Sequence, residues 1–113
     1  MKRILFVEGN EDLRELYHSY FQQYYHVDSF ASGEEALSNF SPEKYDLLVT
    51  DYTLGSQKMG GLELIQGVKE RNDTGKILII SSVFPRILEE PYEHLYKPLS
   101  FREIQKTIER LLA

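Results

Sequence analysis

The sequence has no cysteine, no long hydrophobic run and no excess of positive charge. Without cysteine the chain can form neither disulfides nor thiolate metal sites, which is compatible with a reducing cytosol. Its 13 Lys and Arg against 18 Asp and Glu give a net charge of -5, which offers no electrostatic attraction for nucleic acid. The apolar run at residues 4–7 is too short for a signal peptide or a membrane span. A cytoplasmic domain that binds neither nucleic acid nor membrane is predicted.

The length and composition of the chain predict one globular domain. Its 113 residues are 42% hydrophobic and 27% charged, which is typical of a chain with a single packed core. No internal repeat, linker or biased tract separates one part of the chain from another. We therefore expect residues 1–113 to form one domain, without an output domain joined to it.

Short β-prone runs alternate with amphipathic segments along nearly the whole chain. Apolar residues at intervals of three and four predict helices, of which two begin with capping boxes, Ser32 with Glu35 and Ser100 with Glu103. The second helix is predicted to continue to Phe40. The apolar stripe of the first helix is predicted on Leu13, Leu16, Tyr17, Tyr20, Phe21 and Tyr24. Strands are predicted at residues 4–7, 26–30, 47–51, 76–81 and within 93–98.

This alternation of strand and helix predicts the fold class. It is typical of βαβ units, which build a parallel sheet covered by helices on both faces. Right-handed crossovers leave few topologies, of which the doubly wound sheet is the common one. The predicted fold is therefore α/β, with a doubly wound, flavodoxin-like sheet of five parallel strands.

Polar side chains stand where four of the predicted strands end. They are Glu8 after the first strand, Asp51 after the third, Ser81 at the fourth and Lys97 after the fifth. Because the carboxyl ends of parallel strands meet at one edge of a sheet, we expect these side chains to converge. A lysine, a hydroxyl and a cation held by the carboxylates can neutralise the oxygens of a phosphoryl group. The arrangement favours phosphorylation of Asp51.

The chain resembles the receiver domain of two-component response regulators along essentially its full length. The segments that carry the resemblance are "ILFVEGNEDLRELY", "SGEEAL", "YDLLVTD", "GGLELIQ", "ILIISS" and "LYKP", in the order and at the spacing of that family. The resemblance implies that Asp51 is the phosphoacceptor, Ser81 the switch hydroxyl and Lys97 the lysine that contacts the phosphate. It also implies a cis bond before Pro98, and a histidine kinase or phosphotransfer protein as phosphate donor.

The resemblance further implies a Mg²⁺ site formed by Glu8, Asp51 and Thr53. Glu8 falls on the first of the two acidic positions of the family, but the second, normally a direct ligand, is Gly9. Without that second carboxylate a hard cation loses one charge and one oxygen ligand. We therefore expect Mg²⁺ to bind weakly.

Other departures from the family lie in the second half of the chain. The loop after Asp51 is longer than usual, whereas the segment between Ser81 and Lys97 is shorter and contains two prolines. Proline is tolerated at the start of a helix but not inside it, so the fourth helix of the family, between the fourth and fifth strands, is predicted to be shortened or missing. The switch aromatic position holds His94, which we expect to be part-buried and hydrogen-bonded, and to titrate near neutral pH.

Several functions stay open from the residues alone. The leading interpretation is a stand-alone receiver, not an enzyme, which signals to an unknown output protein through its first helix or the edge near its fifth strand. A pseudo-receiver that docks without being phosphorylated is the second interpretation, and Gly9 favours it. A phosphatase of the haloacid-dehalogenase type also uses Asp, Ser or Thr, and Lys, but it needs a second Asp where this chain has Thr53. Asp51 by itself is also a common turn residue, and a homodimer is one open oligomeric state.

Overall fold

Strands and helices alternate along most of the part of the chain that the structure describes, as the sequence predicts. The computed structural model describes residues 1–52, 60–71, 75–81, 92–97 and 100–113. Among these residues, no helix is long and apolar enough to cross a membrane. The elements are β1 (Arg3–Val7), α1 (Glu11–Phe21), β2 (His26–Phe30), α2 (Gly33–Ser38), β3 (Leu47–Asp51), α3 (Gly61–Glu70), β4 (Lys76–Ser81), β5 (Glu93–Tyr96) and α4 (Phe101–Leu112).

The five strands form one sheet in the order β2-β1-β3-β4-β5, and every neighbouring pair is parallel. The chain runs outward from β1 to one edge and then returns across β3 to the other, which is the flavodoxin-like order of a doubly wound sheet. The predicted fold class is therefore confirmed. The segment predicted to hold a shortened helix between β4 and β5 falls largely on residues 82–91, which lie outside the described part of the chain.

Helices cover both faces of the sheet, which explains why its central strands are apolar throughout. Successive residues of β1 point to opposite faces. Ile4 and Phe6 pack with residues of α1 and α4, whereas Leu5 and Val7 pack with residues of α2 and α3. None of these four side chains is more than 1% exposed. Glu8 and Asp51 therefore follow strand residues that are buried in the core.

Two helices end earlier than the apolar pattern predicts. The helix α1 ends before Tyr24, and α2 ends at Ser38 rather than continuing to Phe40. Asn39 is the C-cap residue of α2. Its backbone N–H donates to the Glu35 carbonyl at 3.2 Å, and its side-chain Nδ2 donates to the same carbonyl at 2.9 Å.

Leu16 belongs to the apolar stripe predicted on α1, but it lies outside the packed part of the helix. Leu16 is 54% exposed, whereas Tyr17 and Phe21 on the same helix are 4% and 0% exposed. The apolar residues of α1 cover a wider arc than the sheet can bury, so one edge of the arc faces solvent.

The helices α2 and α4 begin at the predicted caps, Ser32 and Ser100, and the full capping box is formed at α4. Ser100 Oγ accepts a hydrogen bond from the Glu103 N–H at 3.1 Å, and Glu103 Oε1 accepts one from the Ser100 N–H at 3.5 Å. At α2, Ser32 Oγ accepts from the Glu35 N–H at 3.2 Å. These bonds satisfy backbone donors that have no partner inside the helix.

We expect Ser100→Ala to lower the free energy of unfolding by about 1 kcal/mol, because the first turn of α4 loses its acceptor. Urea unfolding followed by circular dichroism measures the change. Ser19→Ala, at an exposed position within α1, is the matched control and should stay within about 0.5 kcal/mol of the wild type. Equal stability of the two variants would contradict the role given to the cap.

Candidate functional site

The ends of three strands place three of the predicted site residues at one edge of the sheet. Glu8 follows β1, Asp51 is the last residue of β3, and Lys97 follows β5. The Lys97 N–H donates to the Ser81 carbonyl at 2.8 Å, which extends the pairing of β4 with β5 by one residue. Since all strands are parallel, their carboxyl ends share this edge. The lysine is therefore positioned by the sheet itself.

The Lys97 side chain joins the two carboxylates. Its Nζ donates to Glu8 Oε1 and to Asp51 Oδ2, each at 2.9 Å. The side chains of Glu8 and Asp51 are 6% and 12% exposed, and that of Lys97 is 24% exposed. Burial acts to lower the pKa of Lys97, but hydrogen bonds to both carboxylates and their charges outweigh burial and raise this pKa above its ordinary value. The ammonium is therefore charged at neutral pH.

The beginning of α1 also holds Glu8. The Asn10 N–H donates to Glu8 Oε2 at 3.2 Å, and Asn10 caps α1 by accepting from the Leu13 N–H at 2.9 Å. Arg14 Nη1 donates to the Glu8 carbonyl at 2.9 Å. Both carboxylate oxygens of Glu8 are thus engaged, one by the helix cap and one by Lys97. This fixes the direction in which the Glu8 carboxylate points.

Two residues near the carboxylates had not been predicted to belong to the site. Arg14 contacts the backbone of Glu8. Burial raises the pKa of Tyr17 to about 12, with Lys97 lowering it and the charges of Glu8 and Asp51 raising it further. The charges of Lys97, Glu8 and Asp51 thus act on the Tyr17 hydroxyl. A basic residue in the first turns of the helix that follows a strand-end carboxylate is the signal that could have identified Arg14.

Of the remaining predicted site residues, the structure describes some and not others. Ser81, the predicted switch hydroxyl, is the last residue of β4, is fully buried and lies opposite Tyr96 in the sheet register. It thus stands at the same edge as Lys97, while its role as a switch stays a prediction. Thr53, predicted as a metal ligand, and the bond before Pro98 lie outside the described residues, as does most of the long loop that begins there.

The first residues of α3 lie directly against the end of β3. The Gly61 N–H donates to the Tyr52 carbonyl at 2.9 Å. A Cβ atom at position 61 would lie 2.3 Å from the Asp51 carbonyl oxygen, so only glycine permits this approach of helix to strand. Gly61 therefore allows the backbone of α3 to lie beside Asp51, the candidate phosphoacceptor.

His94 lies on the edge strand β5, opposite Ile79 of β4. As predicted it is part-buried, and its ring stacks on Tyr96 with 4.5 Å between centroids. The predicted hydrogen bond is wrong for one ring nitrogen: Nε2 is buried and has no hydrogen-bond partner among the described residues. Burial lowers the pKa of His94 below its ordinary value, because the charged ring would lose hydration without gaining an acceptor. The role of His94 as a switch stays a prediction.

We expect the folded protein to become less stable as the pH decreases, because of the protonation of His94. Since its pKa is lower in the folded than in the unfolded chain, the unfolded state binds more protons as pH falls below about 6.5, and stability is lost from that pH downward. Urea unfolding at pH 7.5 and pH 5.5 measures the loss. Between these two pH values, the free energy of unfolding should decrease less in His94→Phe than in the wild type. In His26→Phe, at an exposed position, it should decrease as much as in the wild type. Parallel loss in all three proteins would contradict the assignment.

The two carboxylates fit a hard cation such as Mg²⁺, which takes oxygen ligands and is often held by one or two carboxylates together with water. Glu8 and Asp51 already reach one positively charged atom, Lys97 Nζ. Within the described ranges no group of three or more His, Cys, Asp and Glu side chains could hold a metal. Weak Mg²⁺ binding by this donor pair stays a prediction.

Curated proteins that are similar to this chain include response regulators. Response regulator ArlR of Staphylococcus aureus is 27% identical over 118 aligned positions, which cover 99% of this chain and 53% of ArlR. The chain thus spans about half the length of the curated relatives it matches. The likeness therefore concerns one part of those proteins.

Solved structures share the fold over the whole chain. Response regulator TrrA of Thermotoga maritima, solved in complex with Mg(2+)-BeF, is 28% identical with a TM-score of 0.84, covering 99% of this chain and 100% of that chain. A chain from the structure of histidine kinase ThkA in complex with TrrA is 29% identical with a TM-score of 0.83 and full coverage of both chains. The family profile described as the response regulator receiver domain matches residues 4–109. Together with the parallel sheet and its strand-end residues, this match shows that the chain belongs to the response regulator receiver domain family.

Proposed function

We propose that this chain is the phosphoacceptor receiver of a two-component phosphorelay and takes a phosphoryl group on Asp51. The observation that carries the proposal is the contact of Lys97 Nζ with Asp51 Oδ2, 2.9 Å long, at the carboxyl edge of the sheet. A fixed cation beside a carboxylate oxygen stabilises the negative charge of a phosphoryl group that binds there. Low exposure of the carboxylate strengthens this effect, because little water screens the charges.

In the proposed reaction an oxygen of the Asp51 carboxylate forms a bond to phosphorus, while the phosphorus–nitrogen bond of a phosphohistidine on the donor breaks. The imidazole leaves with the bonding electron pair. Lys97 stabilises the charge on the phosphoryl oxygens, and the Ser81 hydroxyl donates a hydrogen bond to one of them. Mg²⁺, held by Glu8, Asp51 and Thr53, would neutralise further negative charge when bound.

The proposed donor is a histidine kinase or phosphotransfer protein in the cytoplasm. The structure of TrrA in complex with the histidine kinase ThkA supports this choice. The proposed output is the binding of another protein, so that the chain works as a signalling module rather than as an enzyme. Leu16, exposed on α1 beside Asp12 and Glu15, supports docking through the first helix. Whether the chain forms a homodimer is decided by measuring its mass in solution.

A pseudo-receiver that docks without being phosphorylated is the second candidate function. It is favoured by Gly9, an exposed residue at the position where the resemblance predicts a second acidic ligand. The phosphatase alternative lacks support, because Asp51 ends the third strand of the chain rather than the first. The two receiver functions differ in one property, the ability of Asp51 to bind a phosphoryl group.

Beryllofluoride, which mimics a phosphoryl group on a carboxylate, tests this property. In protein labelled with ¹⁵N, we expect beryllofluoride with Mg²⁺ to shift the backbone amide signals of Asp51, Ser81 and Lys97. Beryllium salt without fluoride is the control and should leave these signals in place. Unchanged amide signals at saturating beryllofluoride would favour the pseudo-receiver.

A further inference from the structure

An apolar stripe and charges of both signs share the outer face formed by α1 and α4. The stripe follows α1 at intervals of four residues, through Leu16, Tyr20 and Tyr24, and Leu16 and Tyr24 are 54% and 47% exposed. We infer that a second copy of this chain covers this face, so that two copies form a symmetric dimer through α1 and α4. The inference goes beyond the proposed function and does not depend on phosphorylation of Asp51.

The two helices lie side by side and run in the same direction. Both begin at the edge of the sheet where the strands end, since α1 follows β1 and α4 follows β5. Both pack on the same face of the sheet, with Tyr17 and Ile104 in one core cluster. Tyr20 joins the helices, because its hydroxyl donates to Gln105 Oε1 at 2.5 Å and its ring centroid lies 5.1 Å from that of Phe101. Corresponding turns of α1 and α4 thus lie at similar distances from the edge of the sheet.

The exposed charges in these corresponding turns differ in sign between the two helices. In its first and second turns α1 exposes Asp12 and Glu15, whereas α4 exposes Arg102 and Lys106. Asp12 and Glu15 line a shallow depression together with Leu16. Within the described ranges, none of the four charged side chains forms an ion pair. Their charges are therefore available to a partner.

A second copy of the chain supplies the complementary charges. A two-fold axis parallel to the helices places α1 of each copy against α4 of the other, at the same distance from the edge of the sheet. Glu15 then faces Lys106 of the partner subunit, and Asp12 faces Arg102 of the partner subunit. Symmetry repeats each of these contacts. Leu16 lies beside them and is removed from water in the dimer, which supplies the apolar part of the interface.

Two features limit the affinity of this dimer. The apolar stripe is narrow, and exposed ion pairs contribute little because water screens them. The acidic residues of α4 do not oppose the contacts, since Glu103 is engaged by its own helix cap and Glu109 lies in the last turn. We therefore expect dissociation constants near about 0.1 mM that increase with salt. Because the dimer covers Leu16, self-association excludes any protein that docks through α1.

Sedimentation velocity from about 10 µM to about 1 mM tests the inference, since this range covers weak association. The wild type should change from monomer to dimer over this range. Glu15→Lys and Lys106→Glu should each associate about tenfold more weakly, because each reversal places like charges together twice in the dimer. The matched control is Glu70→Lys, which makes the same change at an exposed position of α3, on the other face of the sheet, and should dimerise like the wild type.

A mixture of Glu15→Lys with Lys106→Glu separates a specific contact from a general loss of association. Each variant alone repels its own copy, but a mixed dimer places opposite charges together at both contacts. The mixture should therefore dimerise about as well as the wild type. Circular dichroism checks that both variants are folded, which we expect because both positions are exposed.

Three results would overturn the inference. A wild type that stays monomeric at about 1 mM would leave the face formed by α1 and α4 to a different protein. Dimerisation of both single variants as strong as that of the wild type would place the interface on another surface. A mixture that does not dimerise would show that Glu15 and Lys106 do not face each other across the interface.

Discussion

Asp51→Asn is expected to abolish phosphorylation while leaving the protein folded. The amide is nearly the same size as the carboxylate but cannot attack phosphorus as an anion, so no phosphoryl group is transferred. Lys97 keeps its contact with Glu8 in the variant, so no buried ammonium is left without a counterion. Intact mass spectrometry after incubation with acetyl phosphate should show one added phosphoryl group in the wild type and none in Asp51→Asn.

Asp46→Asn provides the matched control for this loss. Asp46 lies just before β3, at the opposite end of the strand, where its Oδ2 accepts from the Arg3 N–H at 2.8 Å. The same chemical change at this end should leave phosphorylation intact. Phosphate retained by Asp51→Asn would mean that the acceptor is another residue.

Gly9→Asp is expected to tighten Mg²⁺ binding by about 10- to 100-fold, because it adds one negative charge and one hard oxygen ligand beside Glu8. Calorimetric titration with MgCl₂ measures the affinity. A gain of this size would show that the glycine is the cause of weak binding in the wild type.

Gly9→Asn is the control for the size of the new side chain, since it adds a polar group without charge. Its affinity for Mg²⁺ should stay near that of the wild type. Tight Mg²⁺ binding by the wild type that does not change in Gly9→Asp would contradict the prediction. In that case Glu8 and Asp51, with ligands from the loop after β3, would suffice.

The strands and helix starts could be predicted because their signals are local. Strands such as β3 and β4 are buried on both faces and therefore consist of continuous apolar runs. Helix starts depend on a polar side chain within three residues, as at Ser32 and Ser100. Helix ends were predicted less well, because the apolar pattern continued past the capping residue Asn39.

The candidate site could be predicted in position but not in its contacts. The parallel order of the strands requires Glu8, Asp51 and Lys97 to stand at one edge, and this follows from the alternation of strand and helix. Lys97 contacts Glu8, which precedes it by 89 positions in the chain, and Asp51, which precedes it by 46 positions. Such contacts depend on strand register and side-chain packing, which no local pattern encodes.

The sequence by itself determined the elements, their order and the edge at which the polar residues stand, since each depends on the chemistry of near neighbours along the chain. Only the tertiary structure decided that Lys97 contacts both carboxylates, that Leu16 faces solvent and that His94 Nε2 is buried. These features arise where surfaces from distant parts of the chain meet. Their energies depend on distance, on exclusion of water and on the shape of the opposing surface, which exist only after the chain has folded.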